Sequence, residues 1–169
     1  MKKIIKKSTK KRKNKSKLSV VYLGAGCFWG VEEAFRTIAG VVATEVGYAG
    51  GFVKDATYEQ VCSNETGHAE VVKVTYDESL TRFKKIIDLF WRIHDPTQMN
   101  RQGPDVGTQY RSVIFYTNTK QKKEAEESLR EEQKKRSRTI ATAIEKAGIY
   151  CKAEEYHQKY VIRNDKPVC

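Results

Sequence analysis

Apolar residues recur along this chain with two different periods, and the order of the two patterns predicts a fold. Five runs alternate or are rich in β-branched residues, as strands are; they are 18–23, 41–48, 70–76, 111–116 and 139–144. Helical patterns are also present; the first follows Cys27 as far as Gly40, the second runs to His94 with Ser79 or Thr81 as its predicted capping residue, the third runs to Arg136 with Thr119 as its predicted capping residue, and the last spans Ala153 to Val161. The order β-α-β-β-α-β, with extra α and β pieces, predicts an α/β two-layer sandwich with a ferredoxin-like core.

Two segments carry no long pattern. Residues 52–67 form a polar stretch that is predicted to be a loop, and residues 97–109 form a second long loop with two glycines. Loops of this length between strong elements are typical places for binding and catalytic residues.

Charge divides the 169 residues into two parts. The net charge is +11, but residues 1–17 contain ten Lys or Arg and no acidic residue, so the remainder carries only about +1. We therefore expect a disordered basic arm at 1–17 and a single globular domain at 18–169. The arm is suited to nonspecific polyanion contact, although a solvated tail without a partner explains it equally well.

The cysteines and the apolar runs exclude several classes of protein. Four scattered cysteines, without C-x-x-C or zinc-ligand spacing, argue against a disulfide scaffold and against a metal site. No stretch is long enough to span a bilayer, and cleavage of a signal peptide near residue 26 would remove the strand at 18–23. We expect a cytoplasmic monomer without membrane insertion.

Cys27 is the strongest candidate for chemistry. It follows the strand at 18–23 and precedes a helical pattern, within Gly24-Ala25-Gly26-Cys27-Phe28-Trp29-Gly30. Unpaired N–H groups at the start of a helix stabilise a thiolate, which is the nucleophilic form. Two large aromatic residues directly after the sulfur favour a reactive cysteine over a packing one.

Other candidates are ambiguous on the residues alone. Glu70 begins an apolar strand, where burial raises a carboxyl pKa, yet an ordinary surface Glu is the commoner outcome. His68 is as often a loop-bracing residue as a functional one. Tyr58 and Tyr110 are either pocket donors or packing residues, and Asp105 lies in a turn where Asp is common.

Several motifs occur together and in order, and together they resemble a known family. They are Gly26-Cys27-Phe28-Trp29-Gly30, Thr66-Gly67-His68-Ala69-Glu70, Asp95-Pro96-Thr97, Asp105-Val106-Gly107-Thr108-Gln109-Tyr110-Arg111-Ser112 and Ala153-Glu154-Glu155-Tyr156-His157-Gln158. The chain from about Leu18 onward resembles the A-type peptide methionine sulfoxide reductases. The resemblance implies reduction of methionine S-sulfoxide, free or in oxidised proteins, and hence a role in protein repair under oxidative stress.

The resemblance also implies residue roles. Cys27 is expected to attack the sulfoxide sulfur and become a sulfenic acid, while Phe28 and Trp29 hold the substrate methyl group. Glu70 is expected to act as the acid that protonates the sulfoxide oxygen.

The remaining site residues follow from the same resemblance. Tyr58 and Tyr110 match two phenols that bind the sulfoxide oxygen, Asp105 matches an acid that orders a water or amide, and His68 is interpreted as bracing the pocket. No metal, flavin or nicotinamide is expected.

Turnover requires a second thiol, and the resemblance implies that this thiol lies near the end of the chain. Cys169, twelve residues after His157, is the candidate resolving cysteine, and thioredoxin would reduce the resulting disulfide. The residues before it, Lys166-Pro167-Val168, depart from the family's pattern. Cys151 is the competing resolver, and Cys62 is interpreted as a spectator thiol.

Two alternatives remain open at this stage. Another thiol-dependent redox enzyme, such as a peroxidase, would use Cys27 but would not need Phe28, Trp29 and Glu70 together. A nucleic-acid-associated protein would instead use the basic arm, and its binding would weaken with salt.

Overall fold

One six-stranded sheet forms the centre of the computed structural model, which describes residues 16–166. The strands of the described part are β1 (Leu18–Ala25), β2 (Val41–Ala49), β3 (Ala69–Asp77), β4 (Arg101–Gln102), β5 (Asp105–Val106), β6 (Ser112–Tyr116), β7 (Ala143–Lys146) and β8 (Tyr150–Lys152). The α-helices are α1 (Phe28–Arg36), α2 (Tyr58–Cys62), α3 (Phe83–Ile93), α4 (Thr119–Gln133) and α5 (Tyr160–Asn164). Two short 3-10 helices span Thr108–Tyr110 and Glu155–His157.

The four central strands have the predicted topology. In the order β6-β1-β3-β2 each strand is antiparallel to its neighbour, with α1 between β1 and β2 and α3 between β3 and β6. This is the ferredoxin-like β-α-β-β-α-β arrangement. Strand β7 extends the sheet parallel to β6, and β8 extends the other edge antiparallel to β2. The predicted fold class is confirmed.

The helices pack on one face of the sheet because the strands alternate their side chains between two faces. Leu23 and Val72 belong to the main core with the helices, whereas their neighbours Tyr22 and Val71 belong to a smaller cluster formed by strand residues. Within α1 the buried residues recur every three or four positions; they are Phe28, Val31, Glu32 and Phe35. The core therefore fixes α1, and with it the residue that precedes α1.

Residues 58–62, which the sequence predicts as part of a loop, form the short helix α2, so that prediction is wrong. The Thr57 side chain accepts a hydrogen bond from the Gln60 N–H, and the Gln60 side chain accepts one from the Thr57 N–H. This reciprocal capping stabilises a helix that is too short to show an apolar period.

The C-terminal third differs most from the prediction. The last predicted strand, at 139–144, is displaced to β7, and β8 was not predicted. The predicted helix at 153–161 is a 3-10 turn followed by α5, because Lys159 has a φ of 53° and interrupts the helical path. These elements are short, and their pairing with distant strands determines them more than local sequence does.

Two helix starts also differ from the prediction. Asn118, rather than Thr119, is the capping residue of α4, and its side chain accepts a hydrogen bond from the Gln121 N–H. The residue before α3 is Arg82, without a side-chain cap, whereas Ser79 and Thr81 lie in the preceding turn.

The basic arm is described only at its end, because residues 1–15 lie outside the described residues. The Lys17 carbonyl accepts a hydrogen bond from the Glu78 N–H at 2.9 Å, and Lys17 Nζ pairs with the Glu78 carboxylate at 2.8 Å. Lys17 thus contacts the body of the fold.

Two properties of residues 16–166 bear on function. None of their helices is long and apolar enough to cross a bilayer. Within the same residues, no group of three or more His, Cys, Asp or Glu side chains is placed to hold a metal ion.

A buried ion pair fastens the C-terminal segment to α1. Glu32 is only 1 % exposed, and its Oε1 accepts from Lys159 Nζ at 2.6 Å while its Oε2 accepts from the Lys159 backbone N–H at 2.8 Å. The Thr44 hydroxyl also donates to Glu32 Oε1, at 3.0 Å. Three donors thus compensate the desolvation of one carboxylate.

Replacing Lys159 by Ala should lower the free energy of unfolding by about 2–3 kcal/mol, because the Glu32 carboxylate stays buried without its cation. Urea unfolding of wild type and variant measures this difference. The matched control is Lys135→Ala, since Lys135 is 69 % exposed where it pairs with Glu132, and its loss should cost less than about 1 kcal/mol. Equal effects of the two changes would contradict this account of the Glu32–Lys159 pair.

Candidate active site

Cys27 stands at the N-terminal cap position of α1, directly after β1. Gly26 makes the turn between them with a φ of +93°, and a Cβ there would collide with the Gln102 side chain at 2.8 Å. The Cys27 side chain is partly exposed in a groove, so a substrate can reach it. The first N–H groups and the dipole of α1 provide a positive potential that favours a thiolate.

Glu70 lies beside this turn, near the start of β3, and is 2 % exposed. Its Oε2 accepts a hydrogen bond of 3.0 Å from the backbone N–H of Phe28, the residue after Cys27. Burial raises the pKa of Glu70 to about 8, the charge of Asp105 adds to this, and the Phe28 N–H opposes it. Glu70 is therefore mostly protonated at neutral pH and can donate a proton.

Two phenols share the electrostatic environment of Glu70. Tyr110 ends the 3-10 helix before β6, and its pKa is raised to about 12 by burial and by the charges of Glu70 and Asp105. Tyr58 begins α2, and its pKa is raised by a hydrogen bond with Cys62, by burial and by nearby charges including Glu70. Both hydroxyls keep their protons and serve as hydrogen-bond donors.

A groove of about 720 Å³ opens at Cys27. Its lining includes Asp105 from the β4–β5 hairpin and Tyr160 and Lys166 from the C-terminal segment. Residues along α1 also line it, namely Gly30, Glu33 and Ala34, together with Thr37 directly after the helix. The groove therefore extends well beyond the sulfur.

Aromatic rings form one side of the site. Phe28 is 1 % exposed, and its ring centroid is 5.8 Å from that of Tyr48. Trp29 is partly exposed and stacks on Tyr160 with 3.7 Å between ring centroids and 7° between planes. An apolar surface directly beside a partly exposed thiol suits a small apolar group such as a methyl.

His68 is buried and uses both ring nitrogens on the backbone. Its Nδ1 accepts from the Gly51 N–H at 3.0 Å, and its Nε2 lies 2.7 Å from the Val53 carbonyl oxygen. These bonds place the proton on Nε2 and tie the loop after β2 to the start of β3. His68 thus braces the loop, and its ring nitrogens are occupied.

The other described cysteines differ in position. Cys151 is 6 % exposed on strand β8, with its Sγ 4.0 Å from His68 Nε2 and 3.7 Å from the Val53 carbonyl oxygen. Cys62 ends α2 and is partly exposed near Tyr58. Cys169 lies outside the described residues.

The structure adds residues to which the sequence analysis gave no role. Glu154 accepts from the Tyr48 hydroxyl and from the Tyr58 backbone N–H, each at 2.8 Å. His157 contacts the aromatic rings, and Tyr160 supports Trp29. The motif at 153–158 contains Glu154 and His157 but not Tyr160, and only the tertiary contacts show what these side chains hold in place.

This combination defines a class of protein. A cysteine at a helix N-terminus, an apolar wall and a buried carboxyl group that holds its proton at neutral pH suit a thiol-dependent oxidoreductase whose substrate oxygen must be protonated.

Comparisons with known proteins identify the family. A family model described as peptide methionine sulfoxide reductase matches residues 19–169. The peptide methionine sulfoxide reductase MsrA of Methanothermobacter thermautotrophicus is 56 % identical over 148 residues, which are 86 % of this chain and 88 % of that protein. The chain belongs to the peptide methionine sulfoxide reductase family and is an oxidoreductase that reduces methionine sulfoxide.

Solved structures agree with this assignment. Mxr1 of Saccharomyces cerevisiae in its reduced form superposes with a TM-score of 0.86 at 40 % identity, over 90 % of this chain and 89 % of that one. The same yeast protein in complex with Trx2 matches with a TM-score of 0.62 at 29 % identity, over 88 % of this chain and 91 % of that one. The resemblance drawn from the sequence motifs is confirmed.

Glu70→Gln should change how stability depends on pH. The folded pKa of Glu70, about 8, is above its ordinary value of 4.5, so between these values the folded protein binds one proton more than the unfolded chain. Wild-type stability should therefore fall as pH rises through this window, by up to about 1.4 kcal/mol per pH unit from this group, and level off above it.

Urea unfolding of both proteins across this pH range tests the expectation. The free energy of unfolding of Glu70→Gln minus that of wild type should increase as pH rises, because glutamine has no proton to lose. A difference that stays constant with pH would show that Glu70 titrates normally.

Proposed function

We propose that Cys27 is the nucleophile and Glu70 the proton donor for reduction of the methionine sulfoxide. The Cys27 thiolate attacks the sulfoxide sulfur while Glu70 protonates the oxygen. The attack forms a bond between the two sulfurs; the oxygen is then transferred to Cys27 as a sulfenic acid, the bonds from the substrate sulfur to the oxygen and to the Cys27 sulfur both break, and methionine leaves with an electron pair on its sulfur. The substrate sulfur is reduced by two electrons, and the Cys27 sulfur is oxidised by two.

The observation that carries this proposal is the hydrogen bond from the Phe28 N–H to the Glu70 carboxyl. It joins the acid to the residue next to the nucleophile, so one bound sulfoxide can have its sulfur at Cys27 and its oxygen at Glu70. The pKa of about 8 supports this role, since an acid works best when its pKa is near the working pH.

Phe28 and Trp29 are the proposed wall for the substrate methyl group. Tyr58 and Tyr110 are the proposed donors to the sulfoxide oxygen, and their raised pKa values support this. Asp105 orders a polar group in the pocket, and His68 braces it. A chiral sulfoxide placed between an apolar wall and a set of donors fits in one hand better than in the other, which supports selectivity for one epimer. The family resemblance implies that this is the S-epimer.

Cys169 is the proposed resolving cysteine. Its thiol attacks the Cys27 sulfenic acid, a disulfide forms, and water leaves. Lys166 lines the same groove as Cys27, and three extended residues reach about 10 Å. Cys151 is less suited, because it is buried on β8 beside His68.

Thioredoxin is the proposed external reductant of this disulfide. The yeast relative Mxr1 forms a complex with Trx2, which supports a thioredoxin as the partner. We propose no further cofactor. The groove along α1 has room for residues that flank a methionine sulfoxide, which supports oxidised proteins as substrates besides the free amino acid.

The catalytic unit is proposed to be residues 18–169, acting as a monomer in the cytoplasm. Residues 1–17 are proposed to contribute only nonspecific contacts with polyanions, since their positive charge is the one property from which a function can be argued.

Cys169→Ser should release close to one methionine per enzyme and then stop with thioredoxin as reductant, because the sulfenic acid has no resolving partner. Cys27→Ser should release none. Methionine release and peptide mapping by mass spectrometry measure both.

Cys151→Ser is the matched control, and it should keep thioredoxin-dependent turnover. Sustained turnover of Cys169→Ser, or a Cys27–Cys151 disulfide in the mapped wild type, would assign resolution to Cys151 instead.

A further inference from the structure

His157 lies at the centre of the aromatic side of the site. It is 1 % exposed, and its ring centroid is within 4.1–5.7 Å of those of four aromatic residues. These are Phe28, Trp29, Tyr58 and Tyr156. Three of the four, Phe28, Trp29 and Tyr58, are residues that the proposed function has binding the methyl group or the oxygen of the sulfoxide.

One polar bond connects His157 to this wall. The Trp29 indole Nε1–H donates to His157 Nδ1 at 3.1 Å. Because Nδ1 accepts, the neutral imidazole carries its proton on Nε2. The two residues are 128 positions apart in the chain, so the bond connects α1 to the C-terminal segment.

Glu154 explains why this tautomer is favoured. Its carboxylate accepts from the Tyr48 hydroxyl and the Tyr58 N–H, and its Oε2 lies 3.8 Å from His157 Nε2. That distance is too long for a hydrogen bond, and His157 Nε2 has no such partner among the described residues. The negative charge on this side nevertheless favours a proton at Nε2, which leaves Nδ1 as the acceptor.

Trp29 needs such an anchor because its stacking partner does not fix it fully. Tyr160 lies nearly parallel to the indole, at 7°, and parallel rings slide and rotate in their common plane at little cost. A hydrogen bond at the edge of the indole removes this freedom, since it requires Nε1–H to point at one atom.

We propose that His157 is a positioning residue for substrate binding, which holds the Trp29 ring as the wall of the methyl site by accepting its indole N–H. This inference rests on the proposed role of Trp29 in the methyl site. His157 acts through Trp29, so it affects how tightly sulfoxide binds and leaves the chemistry of Cys27 and Glu70 unchanged.

Two substitutions of equal shape separate the acceptor from the packing. His157→Leu removes the acceptor, whereas His157→Asn keeps an oxygen near the position of Nδ1. In single-turnover methionine release, the half-saturating sulfoxide concentration should rise about 3- to 10-fold in His157→Leu, which corresponds to the loss of one hydrogen bond. It should stay within about twofold of wild type in His157→Asn, and the maximal rate should be unchanged in both.

Nuclear magnetic resonance detects the hydrogen bond of the Trp29 indole N–H directly, which a change in packing alone would not remove. The chain has two tryptophans, and Trp91→Phe identifies the indole N–H signal of Trp29. That signal should shift, and its exchange with solvent should accelerate, in His157→Leu but not in His157→Asn. The ¹⁵N shifts of wild-type His157 should report a proton on Nε2, which tests the proposal even when neither variant folds.

The inference is overturned if wild-type His157 carries its proton on Nδ1, or if His157→Leu and His157→Asn have equal effects. It is also overturned if His157→Leu lowers the maximal rate and leaves the half-saturating sulfoxide concentration unchanged. Trp29→Leu keeps these outcomes separate from the proposed function. If Trp29→Leu weakens sulfoxide binding and His157→Leu does not, only the inference fails; if neither weakens it, the proposed methyl site fails.

Discussion

The hydrogen bond between the Phe28 N–H and the Glu70 carboxyl is the interaction on which the site depends. Helix α1 begins directly after Cys27, so its first amides have no partner within the helix. Glu70 reaches one of them because β3 lies next to β1 in the sheet. Gly24 permits the close approach of the strands, since a Cβ there would lie 3.1 Å from the Glu70 carbonyl oxygen and 2.8 Å from a methyl group of Val113. Sheet pairing and helix start together therefore fix the distance from acid to sulfur.

This arrangement lowers stability in return for reactivity. A carboxyl group that is 2 % exposed, with one N–H donor and with Asp105 nearby, keeps its proton to about pH 8, and above that pH its charge is buried at a cost. Burial also raises the pKa of Tyr110, and a hydrogen bond with Cys62 together with burial raises that of Tyr58, so that both hydroxyls remain hydrogen-bond donors. A sulfoxide oxygen, which gains negative charge as its bond to sulfur breaks, is complementary to such a pocket. The Glu32–Lys159 ion pair holds the C-terminal segment, which contributes His157 and Tyr160 to the aromatic side of the site, against α1.

How much could be predicted from sequence depended on the range of the interactions. The four central strands and the position of Cys27 follow from local periodicity, because alternation and helical spacing are properties of neighbouring residues. The proposed role of Glu70 does not follow in this way, since its raised pKa comes from burial and from contacts that only the fold creates. Helix α2 and strand β8 were missed because each is too short to show a period. His157 could be found as part of a motif, but its bond to Trp29 joins distant parts of the chain.

The pH dependence of the single-turnover rate of methionine release tests the central claim most directly, because it observes the protonated Glu70 during the reaction. Measured between about pH 6 and 10, the wild-type rate should fall as pH rises through about 8, where Glu70 loses its proton. The rate of Glu70→Gln should be lower at neutral pH and should show no such fall. A wild-type rate that stays level or keeps rising above pH 8 would contradict the account, because the reaction would then proceed without a proton from Glu70.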